Sequence, residues 1–146
     1  MAVIQFQLLG DKSKIAIEVL GRKYPDSTDY WDGNWIDSYV LLKIPGYSAK
    51  FRANVRTNEL LSFLEELKTM NETLKGKAVL ENMEDFILLE GRMDALGNVM
   101  WSGETCYPMG TGAILNFTFE SDQSYLTKLI EELIVVVDKF PVIGKP

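Results

Sequence analysis

Ile4, Phe6 and Leu8 alternate with Val3, Gln5 and Gln7, a period of two that predicts a strand with one wet face. Asp11-Lys12-Ser13 turns the chain, and Ile15, Ile17 and Val19 repeat the pattern. Ile36 to Ile44 reads as a third strand, ended by Pro45-Gly46. Tyr47, Ala49, Phe51, Ala53 and Val55 then alternate with Ser48, Lys50, Arg52, Asn54 and Arg56, which predicts a strand whose polar side carries three positive charges.

The period changes after Arg56. Leu60, Phe63, Leu64, Leu67 and Met70 recur at helical spacing, with Thr57 or Asn58 expected as the cap and an end near Leu74. Three strands are predicted over Ala78 to Glu81, Phe86 to Met93 and Val99 to Cys106, with Leu96-Gly97-Asn98 turning the last hairpin. A final strand covers Ala113 to Glu120, with Ala113, Leu115, Phe117 and Phe119 on one face. Ser121 or Asp122 caps a closing helix with Leu126, Leu129, Ile130, Leu133, Val136, Val137 and Phe140 as its apolar set, stopped by Pro141. Each half of the chain is thus a run of strands followed by one helix. Without helices between the strands, the expected class is α+β: an antiparallel sheet of about seven to eight strands with two amphipathic helices packed on it. Residues 1–146 are expected to form a single globular domain, long enough to bury a core.

The most informative stretch is Asp26 to Asp37, with four carboxylates, three large aromatics (Tyr30, Trp31, Trp35) and no basic residue. Gly33-Asn34 marks a turn, so the aromatics lie on a loop or at a strand start. Two readings follow. In one, Trp and Tyr beside unpaired carboxylates grip a basic, partly apolar partner. In the other, the loop folds back on the domain with its rings buried and its acids solvated.

Net charge is −6 and the isoelectric point near 4.7. Phosphate binding needs clustered Lys and Arg, so direct binding of nucleic acid is not expected. Histidine is absent, which removes the usual general base, the commonest metal ligand and every imidazole triad. Asp26, Asp29, Asp32, Asn34 and Asp37 offer hard oxygen ligands, but the aspartates are three apart and no Glu closes the set as in a calcium loop, so no metal is expected there. Glu81 and Glu84 are the first pair to suspect for carboxylate catalysis; the competing reading is a solvated hairpin face. Cys106 has no partner for an internal disulfide and no basic neighbour in sequence, and reads as structural. Gly103, Gly110 and Gly112 do not form a phosphate loop. Met1 to Leu9 is apolar but too short to span a bilayer and lacks the features of a signal peptide, so the expected compartment is the cytoplasm, with no membrane association and no cofactor.

At D-Y-W-D-G-N-W (Asp29 to Trp35) the chain resembles the WapI-type immunity proteins of bacterial polymorphic toxin systems. Further segments match in order: Arg56 to Leu64 (R-T-N-E-L-L-S-F-L), Glu81 to Leu89 (E-N-M-E-D-F-I-L-L), Ser121 to Leu126 (S-D-Q-S-Y-L) and Phe140 to Pro146 (F-P-V-I-G-K-P). Ser124 stands where the pattern leads one to expect Thr. The resemblance implies a cytoplasmic, non-catalytic protein that binds the toxic C-terminal domain of a secreted or contact-delivered toxin, often a nuclease acting on tRNA. It carries over no toxin-contacting residues. From the residues themselves the expected contact patch is Asp29, Tyr30, Trp31, Asp32 and Trp35, with Glu81, Glu84 and Asp85 second. The alternative function is a small intracellular ligand-binding or carboxylate-dependent enzyme domain, with Glu81, Glu84 or Asp32 as acid or base.

Overall fold

A computed structural model of the chain describes residues 3–146; Met1 and Ala2, at the start of the apolar opening segment, lie outside the described residues. All eight strands form, but as two four-stranded antiparallel sheets rather than one. The first is a meander of β1 (Ile4–Leu9), β2 (Lys14–Arg22), β3 (Trp35–Ile44) and β4 (Tyr47–Arg56), with a one-turn helix, α1 (Tyr30–Gly33), inserted before β3. Helix α2 (Thr57–Thr73) leads to the second meander, β5 (Lys77–Glu81), β6 (Ile87–Met93), β7 (Val99–Tyr107) and β8 (Ala113–Ser121), which α3 (Gln123–Lys139) closes. The class is α+β, as the run of strands with few helices implied.

The two halves repeat each other closely. Leu60 and Leu126, Phe63 and Leu129, Leu64 and Ile130, Leu67 and Leu133, and Met70 and Val136 are all buried, and each pair is separated by 66 residues. Each helix packs on the other half's leading strand, α2 on β5 and α3 on β1, and the helices pack on each other. Neither meander can bury its apolar face alone, so the exchange of helices closes one continuous core from both sheets. The free edges of β1 and β5 receive the same device. Glu66 accepts the Val79 backbone N–H at 3.0 Å, and Glu132 accepts that of Gln7 at 3.0 Å. An open strand edge is a template for unwanted pairing, and a carboxylate on each of these edge amides blocks it.

Helix α3 begins as the sequence implies: Asp122 occupies the N-cap and accepts the N–H groups of Ser124 and Tyr125. The start of α2 differs. Arg56, not Thr57 or Asn58, sits at the N-cap, and its backbone N–H is held by Glu59 Oε1 at 2.9 Å. Alternation along β4 places Arg56 with Lys50 and Arg52 on the wet side, yet it is only 1% exposed. The reason is local: it pairs in register with Trp35, and the α1 segment covers that end of the sheet. Among the described residues, no helix is long and apolar enough to cross a membrane.

Candidate functional site

The acidic aromatic segment is built around a cation that its own sequence lacks. Asp29 caps α1, its carboxylate accepting the Asp32 N–H at 3.1 Å, so Gly33-Asn34 ends a helical turn rather than forming an open loop. A helix this short leaves its carbonyls without intrahelical partners. The fold supplies one for each. Arg56 donates from Nη2 to the Tyr30 carbonyl at 2.8 Å and from Nη1 to that of Trp31 at 2.5 Å. The Asn34 backbone N–H reaches the Asp32 carbonyl. Arg22 Nη1 donates to the Gly33 carbonyl at 2.6 Å, and its Nη2 to the Pro141 carbonyl at 2.6 Å.

The Arg56 guanidinium lies 5.2 Å, 5.5 Å and 5.0 Å from the ring centroids of Tyr30, Trp31 and Trp35. A charge removed from water is tolerated only with such compensation. Aromatic faces and carbonyl dipoles provide it here, because among the described residues Arg56 has no ion pair. The folding-back that one reading expects holds for part of the segment. Tyr30 and Trp35 are half-buried against Arg56, whereas Trp31 remains 55% exposed, edge-on to Tyr30 at 5.1 Å. Asp29 and Asp32, in the same helical turn, are exposed, as is Asp26 earlier in the segment. The surface is thus an aromatic ring framed by carboxylates, with the positive charge beneath.

The chain's C-terminal segment locks this arrangement. Asn34 is fully buried; its Nδ2 donates to the carbonyls of Tyr30 at 2.9 Å and Ile143 at 3.0 Å, while its Oδ1 accepts the Ile143 N–H at 3.0 Å. Gly33 and Gly144 make the close approach possible. A Cβ on Gly33 would run into the Ile143 side chain, and Gly144 has φ +69 with the Tyr30 nitrogen 2.5 Å from where its Cβ would stand.

The second candidate patch is tied to the same helix start. Glu59 accepts the Asn82 Nδ2 at 3.1 Å and the Met83 N–H at 2.7 Å in addition to the Arg56 N–H. Burial pushes the Glu59 carboxyl above its ordinary value despite these bonds and the nearby Arg56 charge. Asn82, also buried, donates to the Asn54 carbonyl at 2.9 Å and accepts the Phe86 N–H at 3.0 Å, fixing the β5–β6 turn. On that turn Asp85 is exposed, and Glu84 accepts from Asn54 Nδ2 at 3.1 Å. Glu81 is exposed on β5, beside the groove between β5 and α2. Both patches are therefore bonded to the first turn of α2, one through the Arg56 side chain and the other through Glu59. Among the described residues, no three His, Cys, Asp or Glu side chains gather as a metal site would require.

A family model described as the immunity protein WapI-like family matches residues 7–141. The chain belongs to this family. Four of the five segments through which the sequence resembles WapI-type proteins meet in space: Asp29 to Trp35, Arg56 to Glu59, Asn82 to Phe86 and the Ile143 segment form one hydrogen-bonded network, whereas Ser121 to Leu126 bonds elsewhere, Ser121 to Trp101 and the Leu9 carbonyl. No curated protein matches the chain. Among solved structures it is similar to the plant transcriptional regulator PBF-2, with a TM-score of 0.57 and 9% identity over 96% of this chain and 83% of that one. At that identity the likeness concerns the fold alone. Within this WapI-like chain, the sequence points to Asn34 only as a turn residue and an oxygen ligand, and does not single out Arg22, Arg56, Glu59 or Asn82 for the site. One signal was available: three aromatics among acids, without a base, call for a cation from elsewhere in the chain.

Proposed function

We propose that this chain binds the toxic domain of a cognate secreted or contact-delivered toxin in the cytoplasm of the producing cell and neutralises it by stoichiometric occlusion, without catalysis. A tRNA-cleaving nuclease suits the reading, because a cleft that grips RNA is basic and an acidic inhibitor plugs it with fast, salt-sensitive association. The contact patch is Asp29, Tyr30, Trp31, Asp32 and Trp35, with Glu81, Glu84 and Asp85 as a second contact. The observation that carries this is Trp31. A large ring left 55% exposed costs solvation, yet its backbone is held rigid by Arg56 and it is framed by exposed carboxylates. Preorganised aromatic anchors of this kind dominate binding energies because little freedom is lost on docking.

The reading is tested by co-expressing this chain with the toxin domain encoded beside its gene. Growth is expected to be restored by the wild type, and the two proteins to co-elute at equal stoichiometry. Growth arrest despite full expression of the folded chain would refute the reading.

A further inference from the structure

The outer face of β3 and β4 runs from the aromatic cluster to a group of lysines that the site described above does not use. Trp35, Asp37, Tyr39, Leu41 and Lys43 lie on one side of β3, opposite Arg56, Asn54, Arg52, Lys50 and Ser48 of β4. At about 3.3 Å per residue, the eight steps from Trp35 to Lys43 set the two ends of this strip roughly 26 Å apart. That is about the breadth of one partner's share of a standard interface.

At the far end, Lys14 of β2 lies directly opposite Lys43 in the ladder, and Lys50 is on the neighbouring strand. Like charges placed opposite each other on a sheet repel. The ion pairs among the described residues, Arg52 with Asp37, Lys77 with Glu90 and Arg92 with Glu90, leave out all three lysines. Lys50 has the Tyr39 ring at 4.7 Å instead. The three lysines, with Ser48, rim a pocket of about 370 Å³ that Leu41 on the same face lines, together with Leu42 and Ala49, which pair with each other on the core-facing side. In a chain of net charge −6, this is a concentration of positive charge set against an apolar surface.

The lining selects the ligand. A bare phosphate makes no use of apolar walls, and the overall negative charge repels a long polyanion. A carboxylate carried next to an aliphatic or aromatic side chain satisfies the rim and the walls together. We propose that this pocket is a further anchor for the toxin domain, beyond the two acidic contacts, seating an acidic residue and its apolar neighbour at the opposite end of the strip from Trp31. The proposal rests on the immunity reading. It gives the interface two signs, so that the toxin docks in one orientation and like-charged surfaces are rejected.

The test is titration of the toxin domain encoded beside the gene into the full-length chain, as wild type, as Lys43→Gln and as the double variant Lys14→Glu/Lys43→Glu, at low and high salt. All substituted positions are exposed, and circular dichroism checks that the variants fold. The double reversal is expected to weaken binding by about 100-fold at low salt and much less at high salt, with Lys43→Gln intermediate. Tight wild-type binding that both variants match, or binding that tightens on reversal, would overturn the pocket's role. Failure of the wild type to bind would overturn the immunity reading, and the pocket assignment with it. An RNA oligonucleotide retained by the wild type and lost by the double variant would overturn the choice of ligand.

Discussion

Asn34 and Ile143, separated by 109 residues, exchange hydrogen bonds in both directions at 3.0 Å, so the end of the chain closes over the helix that presents Trp31. The candidate binding surface is therefore held by the last residues of the fold. Ending the chain at Pro141 is expected to leave the core intact while loosening this corner. The loss of two hydrogen bonds corresponds to about 2 kcal/mol of local stability. Amide hydrogen exchange at Asp32 to Asn34 is expected to accelerate by tenfold or more, with the amides of α3 unchanged. Equal protection in the truncated and full chains would show that the segment does not brace α1.

Arg56 is the second brace. Arg56→Ala strands the Trp31 carbonyl and opens a cavity among three rings, which is expected to cost about 3 kcal/mol or more in urea unfolding. Arg56→Lys keeps the charge but loses the planar fork that reaches both carbonyls, and recovery of no more than half the loss is expected. Full recovery by Lys would mean that charge over the rings, rather than the bidentate geometry, matters.

Glu59 ties α2 to the β5–β6 turn, and burial raises its folded pKa above the ordinary 4.5. The folded state therefore holds this proton more tightly than the unfolded chain does. Its stabilising contribution is full below the unfolded value and is lost as pH rises through the folded value. Glu59→Gln turns an amide donor toward one of the N–H groups that the carboxylate now accepts, at a cost of about 1–3 kcal/mol. The gap between wild type and variant is expected to narrow as pH rises from below 4.5 through the folded pKa. A gap that widens over that range would contradict the burial argument.

Glu66 and Glu132 each occupy the tenth residue of a helix and cover the free edge of the other half's first strand. Alanine at Glu66 is expected to cost only about 0.5–1 kcal/mol, because the exposed Val79 amide rehydrates, and alanine at Glu132, whose bond is partly buried, about 1–1.5 kcal/mol. The larger effect is expected in self-association at high concentration, seen by sedimentation, as the edge becomes available for pairing. Glu132→Ala is expected to show more of it, its bond being the less exposed of the two. Monomeric behaviour of the double variant at all concentrations would rule out an edge-guarding role.

Much of the fold was legible because it follows from periodicity. The alternation in β1 to β4 and the spacing of Leu60 to Met70 and Leu126 to Val136 mark the buried faces directly. The division into two sheets was not legible. A meander of four strands has the same pattern whether it joins a larger sheet or ends at α2, and only the helix exchange between halves decides it. Arg56 was misplaced for a related reason. Strand alternation assigns it to water, and nothing local to β4 reports that α1, more than twenty residues earlier, returns to cover it. Asp29 to Trp35 could be singled out from composition, whereas the bonds by which Asn34, Glu59 and Asn82 hold distant backbone are encoded by no sequence period.

The most direct test is calorimetric titration of the adjacent-gene toxin domain into the wild type and into Trp31→Ala, with folding of the variant checked by urea unfolding. Because Trp31 is largely exposed, its truncation is expected to leave stability nearly unchanged while weakening the complex by at least about 2 kcal/mol, roughly 30-fold. Equal affinity of the two folded proteins for the toxin would contradict the assignment of the α1 surface as the contact patch.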